Sequence, residues 1–312
     1  MARSSNKKIV TAAITGANHT PGMSPYLPYG REGIVKNAVD ALDAGAAIVH
    51  IHARDEVGQP TPNRDAMFNI LSDIKAQRPN GIIAITTGGG MNMTVAERFS
   101  VVKNFKPEMA SCNCGSMNFA LDEMTRLVEK PVFDWEIPFL EATHDKVFKN
   151  TYADIEFCLN TMYEAGTCPE FEIFDLGQIA HVAYFLKKGI VKKPIYIQFV
   201  LGVMGGAPLT MDNLLYFIRA AKDTLGDDIQ YSTVAGGRRQ IRYQAAMAAV
   251  GANVRVGMED SLYIRPQGDL AKSNAEQVDK ICSILKSMDF EIATSDEARE
   301  MLSLKGSDKV GF

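Results

Sequence analysis

Two histidines, His50 and His52, are separated by a single residue in the segment HIHARD. On a β-strand, residues two apart point to the same side, so both imidazoles face the same environment. Two neutral imidazoles on one face can bind a divalent metal ion together, and histidine is a common zinc ligand. Two core histidines that are hydrogen-bonded to neighbouring strands would explain the same spacing.

A third metal ligand is available in the segment RVGMED, where Arg255, Gly257 and Glu259 alternate along a predicted strand. If that face points inwards, Glu259 reaches the end of the strand and Arg255 lies one layer below it. Two histidines and a glutamate with an open fourth position are typical of catalytic zinc. We therefore predict one zinc ion per chain, bound by His50, His52 and Glu259. An internal salt bridge between Arg255 and Glu259 is the simpler alternative for those two residues.

Acidic side chains recur on another predicted strand, where Glu170, Glu172 and Phe174 share one side. A carboxylate beside a metal-bound carbonyl group is what the abstraction of an α-proton requires. For Glu172 considered by itself, an ion pair with a nearby arginine is the favoured explanation.

Three glycine-rich turns follow predicted strands, at 86–90, 202–206 and 235–239. Glycine allows backbone N–H groups to approach a small anion closely, although a plain βα turn explains each segment as well. None of the turns matches the nucleoside triphosphate loop GxxxxGK[ST]. The last turn contains Arg238 and Arg239, which either bind a phosphate group or form a solvated helix start.

Eight strand-like runs alternate with amphipathic helical segments along the chain, and this alternation is typical of βαβ units. Eight such units in a chain of 312 residues predict an α/β fold, the TIM (β/α)8 barrel, which carries its active site at the C-terminal ends of the strands. The predicted strands are Lys8 to Thr15, Ala47 to Ala53, Gly81 to Thr87, Met109 to Cys114, Glu170 to Leu176, Pro194 to Leu201, Ile229 to Val234 and Asn253 to Met258.

One stretch, residues 117–150, interrupts the alternation and contains the only tryptophan, Trp135. It is too long for a plain βα connection, so we predict an inserted arm or lobe after strand four that covers the active site or contacts a neighbouring subunit. The tail from Thr294 to Leu304 predicts an extra C-terminal helix with Ser295 as its N-cap. We predict that residues 1–312 form a single barrel domain.

Composition excludes several classes of partner. The chain has 33 basic and 37 acidic side chains, a net charge of -4 and no long run of either sign. This balance argues against nucleic acid and a charged membrane surface, and no apolar stretch approaches the roughly 20 residues that span a bilayer. Five irregularly spaced cysteines fit a reducing compartment. We therefore expect a cytoplasmic protein that acts on a small molecule.

These residues, taken together, resemble the β-keto acid cleavage enzymes, the family of 3-keto-5-aminohexanoate cleavage enzyme. The resemblance implies zinc bound by the two histidines and the glutamate, and a condensation of a β-keto acid with acetyl-CoA that gives acetoacetate and a new acyl-CoA. It also implies a homotetramer. The shared motifs extend over nearly the whole chain, namely TGA at 15–17, HIHARD at 50–55, TTGG at 86–89, PEMAS at 107–111, EIFDLG at 172–177, LGVMGG at 201–206 and RVGMEDSLY at 255–263.

The resemblance also implies roles for individual residues. Acid–base and orienting roles fall on Glu172, Arg255 and Asp260. We expect zinc to polarise the keto oxygen, and a carboxylate base to generate an acetyl-CoA nucleophile that attacks the ketone.

Substrate contacts follow from the same resemblance. The hydroxyl group that binds the substrate carboxylate matches Thr86, and Gly89 and Ser111 complete that contact. After the TGA motif, the family member that acts on an amino-substituted keto acid has a glutamate that binds the ammonium group, whereas this chain has Asn18. An amide cannot neutralise a buried ammonium, so we predict neutral or anionic β-keto acids, the anionic ones favoured if His19 contributes a positive charge.

Two other functions are compatible with the same residues. A zinc-dependent aldolase or hydrolase on the same barrel would work without CoA, since a fold does not fix a reaction. A non-catalytic metal or ligand-binding protein is the third possibility. The presence of Glu172, Arg255 and Asp260 beside the metal ligands argues against it, because a binding protein does not need them.

Overall fold

The computed structural model describes residues 6–88 and 93–312 of the chain. Eight parallel strands form a closed barrel in which each strand pairs with the next one in chain order and β8 pairs with β1 to complete the ring. The predicted (β/α)8 barrel is therefore confirmed. The strands are β1 (Val10–Ala13), β2 (Ile48–Ile51), β3 (Ile82–Ile85), β4 (Met109–Asn113), β5 (Cys168–Ile173), β6 (Ile195–Leu201), β7 (Ile229–Ala235) and β8 (Asn253–Val256).

A helix follows each barrel strand and packs an apolar face onto the sheet. In the fourth of these helices, Thr151 caps the first turn by accepting from the N–H of Asp154, and Ile155, Leu159 and Met162 are buried at helical spacing. The helices are α1 (Gly30–Asp43), α2 (Arg64–Gln77), α3 (Val95–Phe105), α4 (Tyr152–Glu164), α5 (Gly177–Lys187), α6 (Met211–Leu225), α7 (Gln240–Ala249) and α8 (Asn274–Ser287).

Most strands end earlier than the sequence pattern predicts. The run Ala47 to Ala53 forms a strand only at Ile48–Ile51, and the last predicted strand stops at Val256 because Gly257 has a φ of 146°. The alternation that places Glu259 on the strand is therefore wrong, since Glu259 lies in the turn that follows. His52 and Glu259 thus lie on loops just past the strand ends, at the barrel mouth.

The insertion after β4 is a small lobe. Its ends are joined by antiparallel pairing of Met117–Asn118 with Val147–Phe148, and it contains the short helix Glu136–Glu141. Buried Glu136 accepts a hydrogen bond from the backbone N–H of Gly22 at 2.7 Å. The lobe therefore lies against the loop that follows β1, on the side of the barrel mouth.

Aromatic side chains of the lobe pack against their own chain. The indole N–H of Trp135 donates to the carbonyl of Val57 at 3.0 Å, and the Trp135 ring meets Phe139 edge-on at 5.6 Å. Phe133 contacts the ring of Tyr29 at 6.0 Å. The three aromatic side chains are therefore half-buried against their own chain.

The C-terminal segment forms the extra helix α9 (Ser295–Leu302), as predicted. Its N-cap is Thr294 rather than Ser295, because the Thr294 side chain accepts from the N–H of Glu297 while the Ser295 hydroxyl donates to the carbonyl of Ala47. The helix is fixed by a buried, two-point ion pair between Arg299 and Glu108. Among the helices of the described residues, none is long and apolar enough to span a membrane.

Candidate metal centre

Three potential metal ligands converge at the barrel mouth. His50 is the inward-facing residue near the end of β2, and His52 follows on the loop. Their Nε2 atoms are 3.3 Å apart, and the Oε1 atom of Glu259 lies 3.8 Å from the first and 3.4 Å from the second. All three ligand atoms lie within 4.8 Å of one another, which is the spacing that one shared ion requires.

Two glycines allow Glu259 to reach this position. A Cβ on Gly257 would lie 2.0 Å from the carbonyl oxygen of Ala13, so only glycine permits β8 to turn here. Gly16 has a φ of 61°, and a Cβ on it would lie 2.4 Å from the Cγ of Glu259. The backbone of the loop after β1 therefore packs directly against the ligand carboxylate.

The protonation states of His50 and Glu259 suit a metal ion. Burial lowers the pKa of His50 to about 3, so its imidazole is neutral and has a free lone pair at neutral pH. Burial by itself raises the pKa of Glu259, but the charge of Arg255 outweighs it and holds that pKa well below its usual range. The second carboxylate oxygen of Glu259, Oε2, is buried and has no hydrogen-bond partner among the described residues. Two imidazole nitrogens and an ionised carboxylate fit a zinc-type divalent ion.

Arg255 connects the ligand to a second carboxylate. From β8, its buried guanidinium donates to Glu259 Oε1 at 2.6 Å and to both oxygens of Asp260 at 2.8 and 3.0 Å. It also donates to the side-chain oxygen of Gln198 at 2.9 Å, and Gln198 in turn donates to Glu170. The sequence alternative of an Arg255–Glu259 salt bridge is thus present together with the ligand cluster, and the two do not exclude each other.

Glu172 lies on the opposite side of the mouth, at the end of β5. Burial raises its pKa to about 8, and the nearby Arg255 charge only partly opposes this. Its carboxylate makes no side-chain hydrogen bond to another described residue, which contradicts the interpretation of Glu172 as the partner of an arginine. A partly exposed, unpaired carboxyl with a raised pKa is suited to proton transfer.

The predicted carboxylate-binding residues lie around the loop after β3. The hydroxyl of Thr86 accepts from the N–H of Gly88 at 3.1 Å, and Thr86 and His52 line the same cavity. Ser111 is engaged by Thr87, whose N–H donates to the Ser111 hydroxyl and whose own hydroxyl donates to the Ser111 carbonyl. Gly89 lies outside the described residues.

Asn18 lies on the loop after β1, next to Ala17, which lines the same cavity as His52. It is half-buried, and its amide makes no hydrogen bond to another described residue. His19 donates from Nδ1 to the carbonyl of Met258 at 2.9 Å, and burial lowers the pKa of His19 to about 4. A neutral His19 supplies no positive charge, so the sequence argument for an anionic substrate end is wrong.

Arg54 is a functional residue that the sequence reasoning missed. Its buried guanidinium donates to four backbone carbonyl groups, at Thr15, Gly16, His19 and Gly58, over 2.7 to 3.1 Å. These bonds fix the loop that carries Asn18 and that packs against Glu259. The available signal was an arginine directly after the metal-binding strand, in the HIHARD segment.

Asn113 was also missed. It ends β4 in register with Glu172, and its side-chain oxygen is buried without a hydrogen-bond partner among the described residues. Strand alternation from Ser111 was the signal that could have placed Asn113 on the inner face.

A (β/α)8 barrel with a histidine pair and a glutamate at its C-terminal mouth defines a barrel enzyme with a candidate divalent-metal site. Residues 7–304 match the family model for beta-keto acid cleavage enzyme. The chain belongs to the β-keto acid cleavage enzyme family.

Relatives of known name support this membership. The chain is 44% identical over 307 residues, covering 98% of both chains, to "3,5-dioxohexanoate:acetyl-CoA acetone transferase" of Paraburkholderia graminis. It is 35% identical to "3-keto-5-aminohexanoate cleavage enzyme" of Fusobacterium nucleatum, covering 96% of this chain and 98% of that one. A solved structure titled "Binary complex of ObcA with oxaloacetate" superposes with a TM-score of 0.70 at 20% identity, covering 90% of this chain and 68% of that one, and shows the shared fold.

Proposed function

We propose that this chain is a zinc-dependent enzyme that exchanges acyl groups between a β-keto acid and acetyl-CoA, giving acetoacetate and a new acyl-CoA. The observation that carries the proposal is the cluster of His50, His52 and Glu259 beside the Arg255–Asp260 pair, in a member of this family. The names of the relatives from Paraburkholderia and Fusobacterium support the same chemistry.

Atom balance determines which carbon attacks. Acetoacetate keeps the carboxylate and C2 of the β-keto acid and gains the acetyl group of acetyl-CoA. A proton therefore leaves C2, C2 bonds to the thioester carbonyl carbon, and CoA thiolate leaves. The thiolate then bonds to the original keto carbon, the bond from that carbon to C2 breaks, and C2 takes back a proton to give acetoacetate. Attack by the acetyl-CoA methyl group, the expectation from the sequence, would instead release acetate, so that expectation is wrong.

The side chains of the site divide this work. Thr86 and Ser111, with Gly89, bind the substrate carboxylate, and Glu172 and Asp260 form the acid–base set that moves the C2 proton. Arg255 orients Asp260 through its two hydrogen bonds and keeps Glu259 ionised. His50, His52 and Glu259 would hold a divalent ion, which would supply Lewis-acid chemistry at the keto oxygen.

The proposed substrate has an uncharged group at its far end. Asn18 offers an amide without a hydrogen-bond partner among the described residues, and His19 is neutral, so neither residue neutralises an ammonium or a second carboxylate. The dioxo acid in the name of the Paraburkholderia relative has this character.

The proposal also covers the domain organisation, location and assembly of the enzyme. Residues 1–312 act as one barrel domain, with the lobe at 117–150 beside its mouth. The enzyme acts as a cytoplasmic homotetramer.

An isotope experiment tests the reaction. Purified protein is incubated with 3,5-dioxohexanoate and acetyl-CoA labelled with carbon-13 at the thioester carbonyl, and products are followed by NMR. We expect the label at the keto carbon of acetoacetate. Turnover that does not need acetyl-CoA would favour the aldolase or hydrolase alternative. Label in the thioester carbonyl of a longer acyl-CoA, with release of unlabelled acetate, would refute the proposed order of bonds.

Metal analysis tests the cofactor. We expect about one zinc ion per chain in the wild type and loss of that ion in the His50→Ala, His52→Ala double variant. Equal metal content in both proteins would refute the assignment of the ligands.

A further inference from the structure

Arg238 and Arg239 lie side by side in the turn between β7 and α7, and both are exposed. Arg238 stacks its guanidinium over the ring of Tyr263 at 5.0 Å. The same guanidinium packs against the backbone of Gly268, where a Cβ would lie 3.2 Å from its central carbon. Arg239 lies over the ring of Tyr243 at 6.0 Å. Both guanidinium groups therefore lie against aromatic rings, and their N–H donors remain available to a ligand.

The arginine pair has no counter-charge. Neither guanidinium forms an ion pair with an acidic side chain of the described residues, and neither does the nearby Arg242. The first turn of α7 contains no acidic residue. Arg265, on the same rim, by contrast forms an ion pair with Asp269 at 3.6 Å. Adjacent like charges repel, and two unpaired guanidinium groups suit an anion from outside the chain.

The arginine pair also lies next to the metal cluster. The N–H of Gly237 donates to the carbonyl of Asp260 at 3.2 Å, and the hydroxyl of Ser261 donates to the carbonyl of Gly237 at 2.9 Å. The turn with the arginines is thus hydrogen-bonded to the two residues that follow Glu259. It forms the part of the mouth between β7 and β8, where barrel enzymes frequently bind phosphate.

We infer that the arginine pair is the binding site for the phosphate groups of CoA. This inference rests on the proposed function, which requires acetyl-CoA. CoA carries its phosphates at one end of a long, flexible arm and its thioester at the other. Phosphates bound at the rim by Arg238 and Arg239 leave the arm to extend into the mouth, where the thioester meets the metal cluster. Guanidinium groups bind phosphate oxygens through two parallel hydrogen bonds, which suits this role.

Equilibrium binding tests the inference without any need for turnover. CoA is titrated by calorimetry into the wild type, the Arg238→Ala, Arg239→Ala double variant and the control Arg219→Ala. Arg219 is an exposed arginine that stacks on Tyr216 at 5.5 Å, in the body of α6, so it matches Arg238 in surroundings but not in position. We expect the double variant to bind CoA about tenfold more weakly or worse, and the control to bind as the wild type does.

The result that overturns the inference is unchanged CoA affinity in the double variant, or no CoA binding to the wild type.

Kinetics with two thioesters adds a second criterion. The double variant should have a raised KM for acetyl-CoA, with unchanged kcat and unchanged kcat/KM for acetylpantetheine, which lacks the nucleotide phosphates. An equal loss with both thioesters overturns the phosphate assignment. If the wild type makes no acetoacetate from either thioester, the proposed function fails, and the CoA titration still decides the arginine site.

Discussion

Substitution of Gly16 by alanine should damage the metal centre without replacing any of its ligands. The residue has a φ of 61°, and a Cβ there would lie 2.4 Å from Cγ and 3.0 Å from Cβ of Glu259. Carbon atoms in contact are normally about 3.5–4.0 Å apart, so the Glu259 side chain must move by roughly 1 Å. Metal ligands tolerate displacements of only about 0.2 Å.

Two effects follow from this geometry, one on folding and one on metal affinity. The left-handed backbone conformation costs alanine about 1–2 kcal/mol of folding free energy, whether or not metal is bound. Displacement of Glu259 adds a loss of metal affinity of about 10- to 100-fold, the size seen when groups that orient metal ligands are altered. That loss corresponds to about 1.4–2.8 kcal/mol of binding free energy.

A matched control separates the two effects. Gly189, at the end of α5, has a φ of 74° and no atom within 4 Å of a Cβ placed on it. Gly189→Ala therefore carries a similar backbone cost but has no contact with a ligand. Zinc affinity is measured by competition with a chromophoric chelator, and unfolding is measured in EDTA.

We expect both variants to be destabilised by a similar amount in EDTA, and only Gly16→Ala to lose zinc affinity. If Gly16→Ala binds zinc as tightly as Gly189→Ala does, then the loop after β1 does not constrain Glu259. The reasoning from its close approach would then be refuted.

Three further predictions concern substrate, pH and assembly. Asn18→Glu should shift the ratio of kcat/KM towards an amino-substituted β-keto acid over a neutral one of equal length, and an unchanged ratio would show that Asn18 does not select the substrate. Burial raises the pKa of Glu170 from 4.5 to about 7, so the Glu170 carboxyl group binds its proton more tightly in the folded chain than in the unfolded chain. The free energy of unfolding therefore falls as pH rises from about 4.5 to 7. Glu170→Gln should abolish this fall and be more stable than wild type at pH 8 by up to about 3 kcal/mol in urea unfolding, whereas the exposed Glu164→Gln should follow the wild type. Sedimentation at micromolar concentration should give a tetramer, and a monomer would contradict the proposed assembly.

The sequence by itself determined the barrel. Eight apolar runs separated by helical periods leave few arrangements other than a closed parallel sheet, because each helix must bury its stripe on a neighbouring strand pair. The HIHARD spacing likewise placed His50 and His52 together, since both lie within one short segment. Local signals of this kind depend on backbone geometry that does not change with the rest of the fold.

Only the tertiary structure decided the contacts between segments that are distant in the sequence. The sequence placed Glu259 on a strand, but the folded chain turns at Gly257 because the carbonyl of Ala13, about 240 residues away in sequence, occupies the space of a side chain. The pKa values of His19 and Glu172 depend on burial by other segments, which no local pattern encodes. Two other features depend on long-range contacts in the same way. Arg54 binds the loop that carries Asn18, and the lobe packs beside the barrel mouth. Such contacts are fixed only when the barrel closes, because closure brings the C-terminal ends of all eight strands to one rim.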